Sequence, residues 1–129
     1  PRMTGTVVYE VSPLEKIQKT FQEDAKTQIL NEVESLDGEQ KKILKFVETI
    51  QKGTNITEIM EKCLFLKPSG GSRSRVTKKI ATINMMELIR KDRGGHIFPN
   101  LKQRISKLME IHNATTEEIE SVYNHVLMA

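Results

Sequence analysis

Apolar residues recur every three or four positions along most of this chain, a spacing that predicts helices rather than strands. Leu14, Ile17, Phe21, Ala25, Ile29, Val33 and Leu36 form one stripe, with Ser12 as N-cap and Pro13 at the first helical position, so a long helix is expected over 13–36. Asp37 with Gln40 makes a capping box for a second helix, which turns Ile43, Phe46, Val47 and Ile50 inward and stops at Lys52-Gly53. Asn55 with Glu58 repeats that signal before Ile56, Ile59, Met60, Cys63 and Leu64, a short helix ending near Leu66. Lys67 to Ser72 reads as a loop, since Pro68 and the pair Gly70-Gly71 interrupt helix propagation. Ser72 or Ser74 then caps a helix whose buried face is Val76, Ile80 and Ile83, with Met86 at its edge.

The pattern changes after Glu87. Leu88 to Lys91 and His96 to Phe98 flank Asp92-Arg93-Gly94-Gly95, which predicts a small β-hairpin, and Pro99 confines its second strand to an edge. Helical spacing then returns. Asn100 with Gln103 is expected to cap a helix bearing Leu101, Ile105, Leu108 and Met109, and His112-Asn113-Ala114 interrupts it. Thr115 to Glu118 offers a further capping box, before Ile119, Val122, Tyr123, Val126 and Leu127. Thr4 to Val11 is rich in β-branched residues but too short for a sheet of its own, so 1–12 reads as an extended arm, with Pro1-Arg2 a cloning remnant ahead of Met3. Residues 13–129 form one helical domain.

Composition narrows the class. A chain of 129 residues, 37% hydrophobic and without Trp, is large enough for a core of Leu, Ile, Val and Met. Cys63 is the lone cysteine, so no intrachain disulfide forms, and a reducing compartment is expected: the cytoplasm, or the nucleus of a eukaryote. No apolar run approaches the ~20 residues of a membrane span.

Charge then selects one region. Between Arg73 and Lys107 the chain carries ten basic residues against Glu87 and Asp92 alone, a local net charge of +8 in a chain of +3, so the remainder totals −5. With Val76, Ile80 and Ile83 inward, Arg75, Lys78, Lys79 and Thr82 are expected to project outward, with Arg73 before the first turn. A cationic helix of this kind fits the major groove of DNA. Arginine reads guanine bidentately, lysine suits phosphate, and hydroxyls and N–H groups at a helix start take phosphate oxygen.

From Glu39 onward the order helix, helix, loop, helix, hairpin resembles the winged helix-turn-helix superfamily of DNA-binding domains. The resemblance covers about 39–111: Asn55 to Cys63 looks like the supporting helix, Ser72 to Glu87 like the recognition helix, and Arg90 to Phe98 like the wing. One departure stands out, a connection from Leu66 to Gly71 longer than the superfamily's usual turn. The implied fold is mainly α, a winged helix-turn-helix core with added N- and C-terminal helices and a small β-hairpin wing. The implied partner is double-stranded DNA, in transcription regulation or in plasmid or viral replication and partition. Candidate DNA contacts are Ser72, Arg73, Ser74, Arg75, Thr77, Lys78, Lys79, Thr82, Arg90, Lys91, Arg93 and His96.

Other readings carry less. The same basic face suits a helical adaptor for RNA or an acidic protein, and the bland alternative is a solvated surface with no partner. The Lys67 to Arg73 loop lacks the Gly-Lys-Ser/Thr ending of a nucleotide-binding P-loop. His96, His112, His125 and Cys63 have no zinc-ligand spacing, and no catalytic set or cofactor fingerprint stands out. Cys63, on an apolar face, reads as a small hydrophobe. The outer helices, through Ile17, Phe21, Ile29, Ile119, Val122 and Val126, either cover the chain's own core or form a homodimer contact, with the dimer favoured because paired recognition helices suit two half-sites.

Overall fold

A computed structural model describes residues 13–67 and 69–128. The extended arm, the Ser12 cap and Pro68 lie outside the described residues. Among those described are six helices and one two-stranded antiparallel sheet. None of these helices is long and apolar enough to cross a membrane.

Helix α1 spans Pro13–Glu34 and buries Ala25, Ile29 and Val33, while Leu14, Ile17 and Phe21 remain 64%, 51% and 45% exposed. Its stripe is continuous in sequence but covered over only its C-terminal half. Helix α2, Gly38–Ile50, opens on the expected capping box: the Gln40 N–H donates to Asp37 Oδ1 at 2.8 Å and the Asp37 N–H to Gln40 Oε1 at 3.1 Å. It ends where Gln51 and then Gly53 take positive φ, 60° and 91°. Thr54 follows and exchanges two backbone hydrogen bonds with Ile97, at 2.9 and 2.8 Å.

The Asn55 side chain caps α3, Ile56–Glu58, through the Glu58 N–H at 2.9 Å. The reciprocal half of that box is replaced, because the Glu58 carboxylate turns to the Thr54 hydroxyl and to Lys62. A π-helical turn over Ile59–Cys63 extends α3, and the Leu64 N–H closes it on Ile59 O at 3.0 Å. The wider turn buries both Ile59 and Met60. Leu64 and Leu66 pack on the core, and Phe65 between them, at φ 54°, is left 85% exposed.

Helix α4 spans Gly70–Met85 and starts earlier than its sequence suggests: Ser69, not Ser72 or Ser74, is the N-cap, its hydroxyl accepting from the Ser72 N–H at 3.3 Å. A good cap outweighs the low helix propensity of the two glycines. Val76, Ile80 and Ile83 are buried as expected. Strands β1, Ile89–Lys91, and β2, Ile97–Pro99, pair with Arg90 opposite Phe98, and Gly95 turns the connection at φ 83°.

Helix α5, Leu101–Met109, departs from its expected cap. The Asn100 amide donates instead to Glu87 O at 2.7 Å, and the Leu101 N–H finds the carboxylate of Glu48 on α2 at 3.2 Å. A 3₁₀ turn over Glu110–His112 and a left-handed Asn113 lead to α6, Thr116–Met128, which Thr115 and Glu118 open with reciprocal bonds of 3.1 and 2.8 Å. All six helices and both strands contribute to or pack against one apolar core.

That core changes the reading of the outer helices. Ile29, Ile119, Val122 and Val126 are at most 6% exposed within a single chain, so they are core residues and unavailable to a partner. Only Ile17 and Phe21 of that set stay at the surface, the Phe21 ring against the His112 ring at 5.0 Å.

Candidate nucleic-acid interface

Helix α4 positions the candidate site. Its flanks meet α2 on one side and α3 with the hairpin on the other, and Ser74, Lys78, Ala81, Thr82 and Met85 face solvent between them. The hairpin is fixed to this helix by the Asn84 side chain, whose oxygen accepts the Lys91 N–H at 3.2 Å.

Arg75 is exposed as expected and Lys79 is half-buried, but neither cation stands free. Both lie on the α2 flank, where Arg75 pairs with Glu39, and Lys79 Nζ sits 2.8 Å from Glu39 Oε1 and 2.9 Å from Asp37 Oδ2. Lys79 is the first cause holding both carboxyls below their ordinary range, and Glu39 is the first cause holding the ammonium above its own. Helical spacing assigned these cations to the non-core side without showing that carboxylates at the start of α2 would pair with them there. Arg73, on the other flank, donates to the Thr57 hydroxyl at 3.0 Å.

Lys78 does project outward, and the Thr82 hydroxyl is turned back to Lys78 O at 3.1 Å. Ser72 uses its N–H in the cap, Ser74 is exposed, and Thr77 is half-buried. On the hairpin, Arg90, Lys91 and Arg93 are exposed, with the Arg90 guanidinium 4.5 Å above the Phe98 ring. His96 faces the turn itself: its N–H donates to Asp92 Oδ1 at 2.8 Å and its ring nitrogen Nδ1 lies 3.3 Å from Asp92 Oδ2. That N–H is the first cause of the lowered Asp92 pKa.

Farther along, much of the basic run is neutralised within the fold. Lys102 pairs with Glu120 at 2.6 Å, Arg104 with Glu32 at 2.8 Å and Lys107 with Glu87 at 3.1 Å. Part of the local excess of +8 is thus offset from outside the segment, by Glu32 on α1, Asp37 and Glu39 at the start of α2 and Glu120 on α6. Lys78, Lys91 and Arg93 carry no ion pair among the described residues.

Sequence reasoning missed Asp37 and Glu39, which select the cations that stay open, and Asn84, which sets the hairpin against α4. The compensating charge of −5 outside the basic segment was a signal for the carboxylates. Cys63 is half-buried, and burial pushes its thiol pKa up, away from the thiolate a nucleophile requires. No group of three His, Cys, Asp or Glu among the described residues could hold a metal ion. No protein family, curated protein or solved structure matches the chain.

Proposed function

We propose that this chain binds double-stranded DNA through the outer face of α4 and the turn between β1 and β2, as a winged helix-turn-helix protein does. The order α2, α3, α4, β1, β2 supports this reading. So does the isolated antiparallel bridge Thr54–Ile97, which ties the segment before α3 to β2. The observation that carries it is the distribution of open cations: Lys78 lies on the exposed face of α4, and Arg90, Lys91 and Arg93 lie on the hairpin that Asn84 ties to the same helix. Lys78 and Lys91 act on phosphates, and Arg93 at the turn reaches an adjacent phosphate or the minor groove. The role is transcription regulation, or replication or partition of a plasmid or viral genome.

The test is the equilibrium affinity of the intact chain for a mixed-sequence DNA duplex over a range of salt, beside an RNA duplex at equal ionic strength. DNA binding that weakens with salt, with log K falling by about 0.9 per phosphate contact, is expected. Equal or tighter binding to RNA replaces DNA with RNA as the partner, and no binding to either removes the reading.

A further inference from the structure

Arg75 and Lys79 stand one helical turn apart on α4 and converge on the same Glu39 oxygen, with Asp37 completing the contact to Lys79. Two cations around a compact set of anionic oxygens is how Arg and Lys also hold a backbone phosphate, through charge-assisted N–H···O bonds. The pairing is not needed to join α2 to α4. Gln40, 9% exposed, already donates across that junction to Lys79 O at 3.4 Å, and Ile43, Val47, Val76 and Ile80 belong to one buried core. All four charged side chains keep 24–49% of their exposure, so the contact is open to solvent and to competing anions.

We infer that Asp37 and Glu39 form an internal phosphate mimic, which occupies Arg75 and Lys79 and keeps them off the nucleic-acid backbone until a duplex displaces the carboxylates. This inference rests on the duplex-binding reading above. It makes Arg75 and Lys79 a latent phosphate site beside the open cations, and it assigns Asp37 and Glu39 the role of lowering affinity for any sequence. A duplex that engages only Lys78 and the hairpin leaves the latent site closed.

The experiment compares duplex affinity and salt slope in the intact chain and three sets of variants. Asp37→Asn with Glu39→Gln opens the latent site, and about tenfold tighter binding with a salt slope steeper by about 0.9 for each cation engaged is expected. Glu110→Gln with Glu117→Gln removes the same charge from exposed positions on the 3₁₀ turn and α6 and is expected to give a smaller gain without the steeper slope. Adding Arg75→Ala and Lys79→Ala to the opened variant is expected to cancel its gain, whereas the same two changes in the unaltered chain cost less. A gain no larger than the control's, or one that survives loss of Arg75 and Lys79, overturns the inference while leaving duplex binding in place. Absence of duplex binding in every variant overturns both. Glu39→Gln alone, which retains the Asp37 cap, provides the same comparison if the double change lowers the melting temperature.

Discussion

The Tyr123 hydroxyl on α6 donates to Glu48 Oε1 on α2 at 2.6 Å, and the other oxygen of that buried carboxylate takes the first N–H of α5. One side chain therefore ties three helices together, and it does so with hydrogen bonds rather than an ion pair. Burial, and then donation to Glu48, push the Tyr123 pKa well above the ordinary tyrosine range.

Removing that donor leaves a buried carboxylate oxygen short of a partner. Tyr123→Phe is expected to destabilise the fold by about 1–3 kcal/mol at neutral pH. Because the folded pKa is raised, the phenol's contribution is complete below the unfolded value of about 10 and is lost as pH rises through the folded value. Melting curves of the two proteins should therefore converge on the alkaline side of about pH 10; a gap that widens there contradicts the assignment.

Two kinds of glycine predict opposite results. A Cβ at Gly70 or Gly71 meets nothing within 4 Å, so alanine at either position of the α4 start is expected to stabilise the chain by about 0.5–1 kcal/mol. Gly53 has φ 91°, and a Cβ there would lie 2.7 Å from the Phe98 ring, so Gly53→Ala is expected to lower stability by more than the other two raise it. Chemical denaturation of the three variants measures both signs.

The halves of α1 are likewise separable. Ile29→Asp puts a charge at a position with 0% exposure and is expected to unfold the chain, as is Val122→Asp on α6. Ile17→Asp, at a position half exposed, is expected to keep the helical circular dichroism and a cooperative melt. Unfolding of the Ile17 variant at the same temperature as the Ile29 variant would mean that the N-terminal half is covered after all.

For the open cations, Lys78→Ala, Lys91→Ala and Arg93→Ala are each expected to weaken duplex binding and to reduce the salt slope by about 0.9, with melting temperatures unchanged. Lys107→Ala, whose ammonium is paired with Glu87, is expected to change binding less. Equal losses at all four positions would show that total charge, and not this surface, governs the contact.

The parts of the fold legible in the sequence were those written in local spacing. The stripe through Ala25, Ile29 and Val33, and the boxes Asp37/Gln40 and Thr115/Glu118, involve residues three or four apart, where helical geometry leaves few alternatives. Local rules failed where a distant group competed. Asn55 kept its cap, but Glu58 turned back to Thr54; the Asn100 side chain left its cap for Glu87 O, and the Leu101 N–H found Glu48, more than fifty residues earlier. The π-helical turn after α3 has no marker in an i, i+3/i+4 pattern. At the site, the period of α4 identified Lys78 as outward, whereas the fate of Arg75 and Lys79 depended on where the first turn of α2 came to rest.

The hairpin is held from both of its strands, β1 through Asn84 at Lys91 and β2 through Thr54 at Ile97, and Phe98 closes against Gly53. It is consequently a strut and not a hinged arm. The distance from Lys78 to the turn at Arg93 is set before any ligand arrives, so ordering on binding is confined to a few side chains. Under the proposed duplex-binding reading, a duplex whose groove width does not match that span would itself have to bend or widen, and sequence preference would then lie in how easily DNA deforms as much as in which bases it displays.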